Sequence, residues 1–82
     1  MTAVNRRRVA IAFGITLKQT RHEKGISQQQ LAQIGGVDRT YASLLERGLR
    51  TPTITVIFRL GDALNVQPQV LVTRTLELLH PH

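Results

Sequence analysis

Two short helical segments joined by a glycine turn limit the folds available to this chain. The first begins after Ser27, which forms a Ser-x-x-Gln capping box with Gln30, and we expect it to cover residues 28 to about 34. Gly35-Gly36 should end it, because two glycines favour a turn. A second helix is expected over residues 39–46. Two short helices with a glycine-containing turn between them predict a helix-turn-helix.

The second of these helices has clear start and stop signals. Asp38 can cap it, because its carboxylate can accept hydrogen bonds from first-turn amides and is favoured there by the helix dipole. Gly48 can supply the left-handed residue that terminates it. These signals fix which residues share a face of the helix.

Helical periodicity extends over the rest of the chain. We expect a first helix over residues 6–24, a fourth opened by Pro52-Thr53 and capped by Asn65, and a fifth over about residues 68–79, with Pro68 in its first turn. No strand pattern or repeat competes with an all-α, five-helix architecture. The apolar residues that mark these faces are Val9, Ala10, Phe13, Leu17 and Ile26 for the first helix and Ile54, Ile57, Leu60 and Leu64 for the fourth.

Composition limits the class of protein and of partner. The 82 residues are expected to form one domain, 1–82, with a core over about residues 8–71. Eleven lysines and arginines against five acids give a net charge of +6, which favours polyanionic partners. No apolar run approaches the roughly 18 residues that span a membrane, and no cysteine is present for disulfides or thiolate metal sites. The simplest expectation is a cytoplasmic protein without a membrane anchor.

The helix over residues 39–46 has two distinct faces. At about 100° per residue, Tyr41, Ala42 and Leu45 fall on one side, which should face the core. The opposite side should face solvent or DNA and carries Arg39, Thr40, Ser43, Leu44 and Arg47.

Four residues on the second face are candidates for reading DNA bases. Arg39 lies in the first turn, where a recognition helix enters the major groove, and its guanidinium can pair bidentately with guanine O6 and N7. Thr40 and Ser43 can contribute hydroxyl bonds or methyl contacts, and Leu44 can contact a thymine methyl. The alternatives are an ordinary solvated charge at Arg39 and an ordinary exposed leucine. The position of Arg39 directly after the cap favours a base contact.

A second group is suited to DNA phosphates. Ser27 and Gln28 lie at the amino end of the second helix, where backbone amides attract anions, and Arg47 and Arg50 follow the recognition helix. Gln28 could instead belong only to the capping turn, and Arg50 could be a loop charge. Arg6–Arg8 could form a basic arm that adds phosphate contacts or could be a solvated helix start, and the sequence leaves both readings open.

Residues spread over most of the chain carry a family resemblance: Leu17, Arg21, Lys24-Gly25, Ser27-Gln28, Leu31-Ala32, Gly36-Val37, Tyr41, Ser43, Glu46-Arg47-Gly48, Pro52-Thr53 and Ala63-Leu64. Over roughly Phe13 to Leu71 the chain resembles the lambda-repressor-like, Xre-type helix-turn-helix domains. The resemblance implies a compact five-helix fold, a homodimer, and a two-fold related operator on double-stranded DNA, read by the second and third helices. It also implies an ion pair between Arg21 and Glu46 that clamps the recognition helix to the scaffold.

One segment of the chain resembles a narrower class of these proteins, and two glycines differ from the usual residues of the family. Asp38-Arg39-Thr40-Tyr41 followed by Glu46-Arg47 is similar to the controller proteins of restriction-modification systems, which regulate their own operons. Gly35 stands where many relatives have a larger apolar residue, so the turn is expected to be looser or differently packed. Gly61 stands where alanine is common, which could let two helices approach closely.

The last helix carries more apolar surface than its own domain needs. We expect Leu71 to complete the monomer core and Val70, Val72, Leu76 and Leu79 to form a dimer interface. The alternative is that the whole helix completes the monomer core. A two-fold dimer would hold its recognition helices about 34 Å apart, one turn of B-DNA, and predicts a near-palindromic site.

Other function classes fit the sequence less well. The only histidines are His22, His80 and His82, with no grouped nucleophile and base, so we expect neither an enzyme nor a cofactor or resident metal. His80-Pro81-His82 could bind a metal adventitiously, but a frayed terminus is the simpler reading. Three aromatic residues offer no stacking platform for RNA. The main alternative to a transcriptional regulator is an antitoxin-like module that binds a small protein partner and binds DNA secondarily.

Overall fold

The computed structural model describes residues 4–80, which form five α-helices and no strand within that range. The predicted all-α, five-helix architecture is confirmed. None of the helices in the described range is both long and apolar enough to cross a membrane. The helices are α1 (Arg6–Glu23), α2 (Gln28–Gly35), α3 (Arg39–Glu46), α4 (Ile54–Leu64) and α5 (Pro68–Leu79).

The predicted caps of α2 and α3 are present. The Gln30 backbone N–H donates to Ser27 Oγ at 3.0 Å, and the Ser27 N–H donates to Gln30 Oε1 at 2.7 Å, which completes the capping box. Asp38 Oδ1 accepts from the Thr40 N–H at 2.7 Å. The predicted end of α2, at about residue 34, was one residue too early. Gly35 is helical and buried, and Gly36 alone makes the left-handed turn at φ 66°.

The other helix boundaries follow equally local signals. Thr53 Oγ1 caps α4 by accepting from a first-turn N–H, and Asn65 ends that helix in the left-handed region at φ 56°. Pro68 occupies the first turn of α5, as predicted. The first helix begins at Arg6 and ends at Glu23, one residue earlier than predicted.

The core lies where all five helices meet. Helix α1 packs against α3 and α5, α2 packs against α3 and α4, and α4 packs against α5. Each helix contributes at least one large apolar side chain, and burying one such side chain fully contributes about 1.5–3 kcal/mol. Leu71 alone comes from α5, so part of that helix does complete the monomer core. The core side chains are Phe13, Leu17, Leu31, Leu45, Leu60, Leu64 and Leu71.

One residue at the start of α4 does not lie on the predicted core face. Leu60 and Leu64 are buried, but Ile54, expected on the same face, is 71% exposed. At about 100° per residue, Ile54 lies roughly 90° from the centre of the stripe that Ile57, Leu60 and Leu64 form. Phe58, four residues after Ile54, is 57% exposed. The two residues therefore form a second, outward stripe on α4.

Two glycines set the distance between α1 and the end of α3. A Cβ on Gly14 would lie 2.5 Å from the carbonyl oxygen of Leu45, and a Cβ on Gly48 would lie 2.9 Å from the Cα of Ile11. Gly48 also has φ 72°, a conformation that side chains with a Cβ rarely adopt. Backbone therefore packs directly on backbone here, and α3 and the residues after it are fixed against α1.

Candidate nucleic-acid interface

Helix α3 has the two faces predicted from its sequence, but the face away from the core is less exposed in the second turn than in the first. Ala42 and Leu45 are fully buried, and Tyr41 is half-buried and packs against the core. On the opposite side Arg39 and Thr40 are exposed in the first turn. The next turn is less open, because Ser43 and Leu44 are half-buried, and Arg47 is exposed just beyond the helix.

The first turn of α3 is both exposed and positively charged. The ion pairs within the described residues are Arg21–Glu46 and Arg74–Glu23, so no carboxylate of this range forms an ion pair with the Arg39 guanidinium. The Asp38 carboxylate, the nearest acid in sequence, instead accepts a backbone N–H of the same turn. Arg39 is therefore available to an external acceptor.

A buried ion pair joins α3 to α1. Arg21 Nε donates to Glu46 Oε2 at 2.6 Å, and Arg21 Nη2 donates to Glu46 Oε1 at 3.0 Å, so the pair is bidentate. The side chains are only 11% and 3% exposed. Arg21 Nη1 also donates to the Ile26 carbonyl at 3.1 Å. The hydrogen bonds to Glu46 raise the pKa of Arg21, and burial opposes them, so this guanidinium stays charged.

The same carboxylate also holds the start of α2. Gln28 Nε2 donates to Glu46 Oε1 at 3.2 Å, which places the amino end of α2 beside the carboxyl end of α3. One N–H of the half-buried Gln28 amide is therefore already used, and one remains for a phosphate. Sequence reasoning missed this contact, because it joins residues 18 positions apart whose spacing carries no signal.

The other phosphate candidates lie around α3. Ser27 is exposed at the amino end of α2, although its hydroxyl oxygen is engaged in the capping box. Arg47 and Arg50 are both exposed in the segment after α3. Together with Arg39, these side chains place hydrogen-bond donors at both ends of the recognition helix.

Of the two readings of Arg6–Arg8, the structure decides only their conformation, and their phosphate contacts stay a prediction. These residues form the first turn of α1, capped by Asn5, and are not a separate arm. Arg8 turns away from the other two, and its Nη2 donates to the Leu79 carbonyl at the end of α5 at 3.4 Å. The suggested adventitious metal site at the carboxyl terminus includes Pro81 and His82, which lie outside the described residues.

An apolar surface lies between α4 and α5. Of the four predicted interface residues, Val72 and Leu76 are 50% and 53% exposed, whereas Val70 and Leu79 are half-buried. Ile54 and Phe58 extend this surface onto α4. We call the set Ile54, Phe58, Val72 and Leu76 the α4–α5 surface. Its α4 members were not predicted, although their spacing of four residues, off the core stripe, is a signal that could have revealed them.

Comparison with known proteins agrees with this geometry. Residues 17–71 match the family described as Helix-turn-helix. The uncharacterized HTH-type transcriptional regulator y4dJ of Sinorhizobium fredii is 39% identical over 62 residues, which cover 76% of this chain and 80% of that protein. Control protein C.BamHI of Bacillus amyloliquefaciens is 37% identical over 68 residues, which cover 82% of this chain and 84% of that protein.

Solved structures show the same fold. The restriction-modification controller protein C.AhdI from Aeromonas hydrophila superposes with a TM-score of 0.74 at 39% identity, over 76% of this chain and 94% of that one. The resemblance seen in the sequence is thereby confirmed, both in the family match and in three dimensions. The chain belongs to the Xre-like helix-turn-helix family of DNA-binding transcriptional regulators.

Proposed function

We propose that this protein acts as a homodimer that binds a near-palindromic operator and regulates transcription from it, as repressor, activator or both. Double-stranded DNA is the ligand, α3 is the helix that enters the major groove, and the cytoplasm is the site of action. The relatives named as control and controller proteins favour a restriction-modification controller that regulates its own operon.

The observation that carries this proposal is the first turn of α3. Arg39 and Thr40 are exposed there on a helix whose far end is held by a buried bidentate ion pair. Base reading needs side chains held in a fixed position, since displacements of about 1 Å spoil a bidentate hydrogen bond. We assign base contacts to Arg39, Thr40 and Ser43, with Leu44 offering its accessible edge to a thymine methyl.

Phosphate contacts would lie near the carboxyl end of this helix and set its register. Ser27 and Gln28 lie at the amino end of α2, where free backbone N–H groups and the helix dipole favour an anion. Arg47 and Arg50 lie beyond the carboxyl end of α3. Contacts of this kind orient a protein on DNA without selecting sequence, whereas the α3 side chains select it.

The α4–α5 surface supports a second copy of the chain as partner. Four large apolar side chains at 50–71% exposure lie on these two packed helices, and a contiguous exposed apolar patch is typical of an interaction site. A two-fold axis at this surface would repeat α3 on the partner, and half-sites about 34 Å apart follow if both helices enter successive major grooves. Light scattering tests this, because a mass of one chain at working concentration contradicts a preformed dimer.

Selection from a random duplex library tests the proposed function as a whole. The purified protein is incubated with the library at about 0.15 M salt, which partly screens non-specific phosphate attraction. We expect enrichment of an inverted repeat with half-sites about one helical turn apart. The Arg39→Ala variant is the matched control, and its enriched repeat should lose preference at one base position per half-site. No enrichment with the parent protein would contradict the proposal and favour an antitoxin-like protein-binding module.

A further inference from the structure

A basic cleft lies at the junction between the start of α1 and the segment that follows α3. Arg6 and Arg7 line it on one side and Arg47 and Arg50 on the other, around an open volume of about 670 Å³. Ile11, Gly48 and the neighbouring backbone complete the cleft. The two pairs of arginines are separated by about 40 positions in the sequence and are brought together only by the fold.

The cleft is rigidly built because backbone packs on backbone beneath it. Gly48 rests against the Cα of Ile11, and Gly14 brings α1 against the last carbonyls of α3. The Leu49 N–H donates to the Leu44 carbonyl at 2.9 Å, which holds the segment after α3 in a tight turn. Arg47 and Arg50 are therefore held opposite Arg6 and Arg7, with their side chains exposed.

No acid within the described residues balances these four guanidinium groups. None of the residues that line the cleft is acidic. Glu46, the nearest carboxylate in sequence, is buried in its pair with Arg21, and Glu23 pairs with Arg74. Four like charges around one cleft repel one another, so an anion with several charges would relieve that repulsion.

We propose that this cleft binds the sugar-phosphate backbone of the operator, at the rim of the major groove that α3 reads. The proposal rests on the proposed function. A helix that enters the groove by its amino end leaves it near the rim, and the cleft begins where α3 ends. Arginine suits this ligand, because its planar fork donates two hydrogen bonds to one phosphate. Four arginines around one open cleft fit a polymer backbone, which presents several phosphates, better than a single phosphate group.

The start of α1 thereby becomes part of the DNA-binding surface. Arg6 and Arg7 extend the phosphate contacts of Arg47 and Arg50 without contributing to base selection. Arg8 is excluded, since it is directed to the end of α5.

The salt dependence of operator binding tests the cleft. Removal of one phosphate-binding charge lowers the slope of log K against log salt by about 0.9. We expect Arg6→Gln/Arg7→Gln to lower it by about 2–4 for a dimer, and Arg7→Gln alone to lower it by about half as much. Lys18→Gln is the matched control, because it removes one exposed charge from α1 roughly 16 Å further along the helix, and should lower the slope by less than Arg7→Gln. The preferred base sequence should not change in any variant.

Different results separate the two proposals. Selective operator binding by the parent protein, with the same slope in Arg6→Gln/Arg7→Gln, would overturn the cleft and leave the proposed function standing. Absence of selective binding by the parent protein would overturn both. Binding of tripolyphosphate is measured as well. If tripolyphosphate binds the parent protein and not the double variant, while both proteins show the same salt dependence of DNA binding, the cleft binds a free polyphosphate. The proposal that it binds the DNA backbone is then wrong. Thermal melts of both variants should match the parent, because the substituted side chains are exposed.

Discussion

The Arg21–Glu46 pair offers a sharp prediction, since removing either partner leaves a charge in a nearly closed site. In Arg21→Ala, the Glu46 carboxylate, which is 3% exposed in the native protein, keeps only the Gln28 amide at 3.2 Å as a partner. In Glu46→Ala, the Arg21 guanidinium keeps only the Ile26 carbonyl at 3.1 Å. Both single variants should therefore be destabilised strongly, and Arg21→Ala more so.

The expected magnitudes follow from burial. Removing one partner of a buried ion pair costs about 3–5 kcal/mol, because the other charge is left uncompensated. The double variant Arg21→Ala/Glu46→Ala has no stranded charge, so it should cost about as much as the worse single variant and not the sum. In a domain of this size about 1 kcal/mol shifts the melting temperature by about 4–8 °C, so each single variant should melt at least about 12 °C lower.

Thermal melts at one fixed protein concentration measure these changes, since a dimer's melting temperature depends on concentration. The matched control is Glu23→Gln, which breaks the other ion pair of the described residues. That pair has a similar distance, 2.9 Å, but its side chains are 40% and 54% exposed. Exposed pairs contribute about 1 kcal/mol at most, so Glu23→Gln should lower the melting temperature by no more than about 4–8 °C.

Additive destabilisation would refute this reasoning. If Arg21→Ala and Glu46→Ala each cost under about 1 kcal/mol and the double variant costs their sum, the pair does not clamp α3. If Glu23→Gln costs as much as the buried variants, burial is not what makes the clamp strong.

Three further predictions address the recognition helix, the helix contacts and the dimer. Arg39→Ala should lose about 1–3 kcal/mol of operator affinity through one base position, whereas Arg50→Ala should weaken binding to cognate and scrambled duplexes alike. If Arg39→Ala weakens binding to both duplexes equally, Arg39 does not read a base. In thermal melts Gly14→Ala should destabilise the protein by about 2 kcal/mol, since the new Cβ would lie 2.5 Å from a backbone oxygen. Gly35→Ala should stabilise the protein by about 0.5–1 kcal/mol, because the new Cβ would have its nearest neighbours at 3.6 Å and alanine favours a helix more than glycine does. Phe58→Asp should yield a folded monomer by light scattering and circular dichroism; an unchanged dimer mass would place the interface elsewhere.

The elements that the sequence predicted well are those defined by local chemistry. The capping box of Ser27 and Gln30, the left-handed Asn65 and the first-turn Pro68 each act within a few residues, so their pattern is visible in the sequence alone. Gly35 was misjudged because adjacent glycines do not reveal which one takes the positive φ.

The contacts that the sequence did not predict join distant residues. Arg8 reaches the Leu79 carbonyl across 71 positions, and Gln28 reaches Glu46 across 18. No periodicity marks such pairs, since they depend on how the helices cross. The pair of Arg21 with Glu46 came from the family resemblance, and its bidentate geometry and near-complete burial came from the structure.

The two ends of α3 are held by different means, and this difference bears on function. At the carboxyl end the Arg21–Glu46 pair, Gly14 and Gly48 fix the helix against α1. At the amino end the Asp38 side chain caps the helix by accepting a backbone N–H of the first turn, a bond between residues only two positions apart. A perturbation of the clamp should therefore tilt the whole helix and reduce binding to every sequence, whereas a change in the first turn should alter preference at single bases. Stability and specificity are thus expected to respond to separate substitutions on the same eight-residue helix.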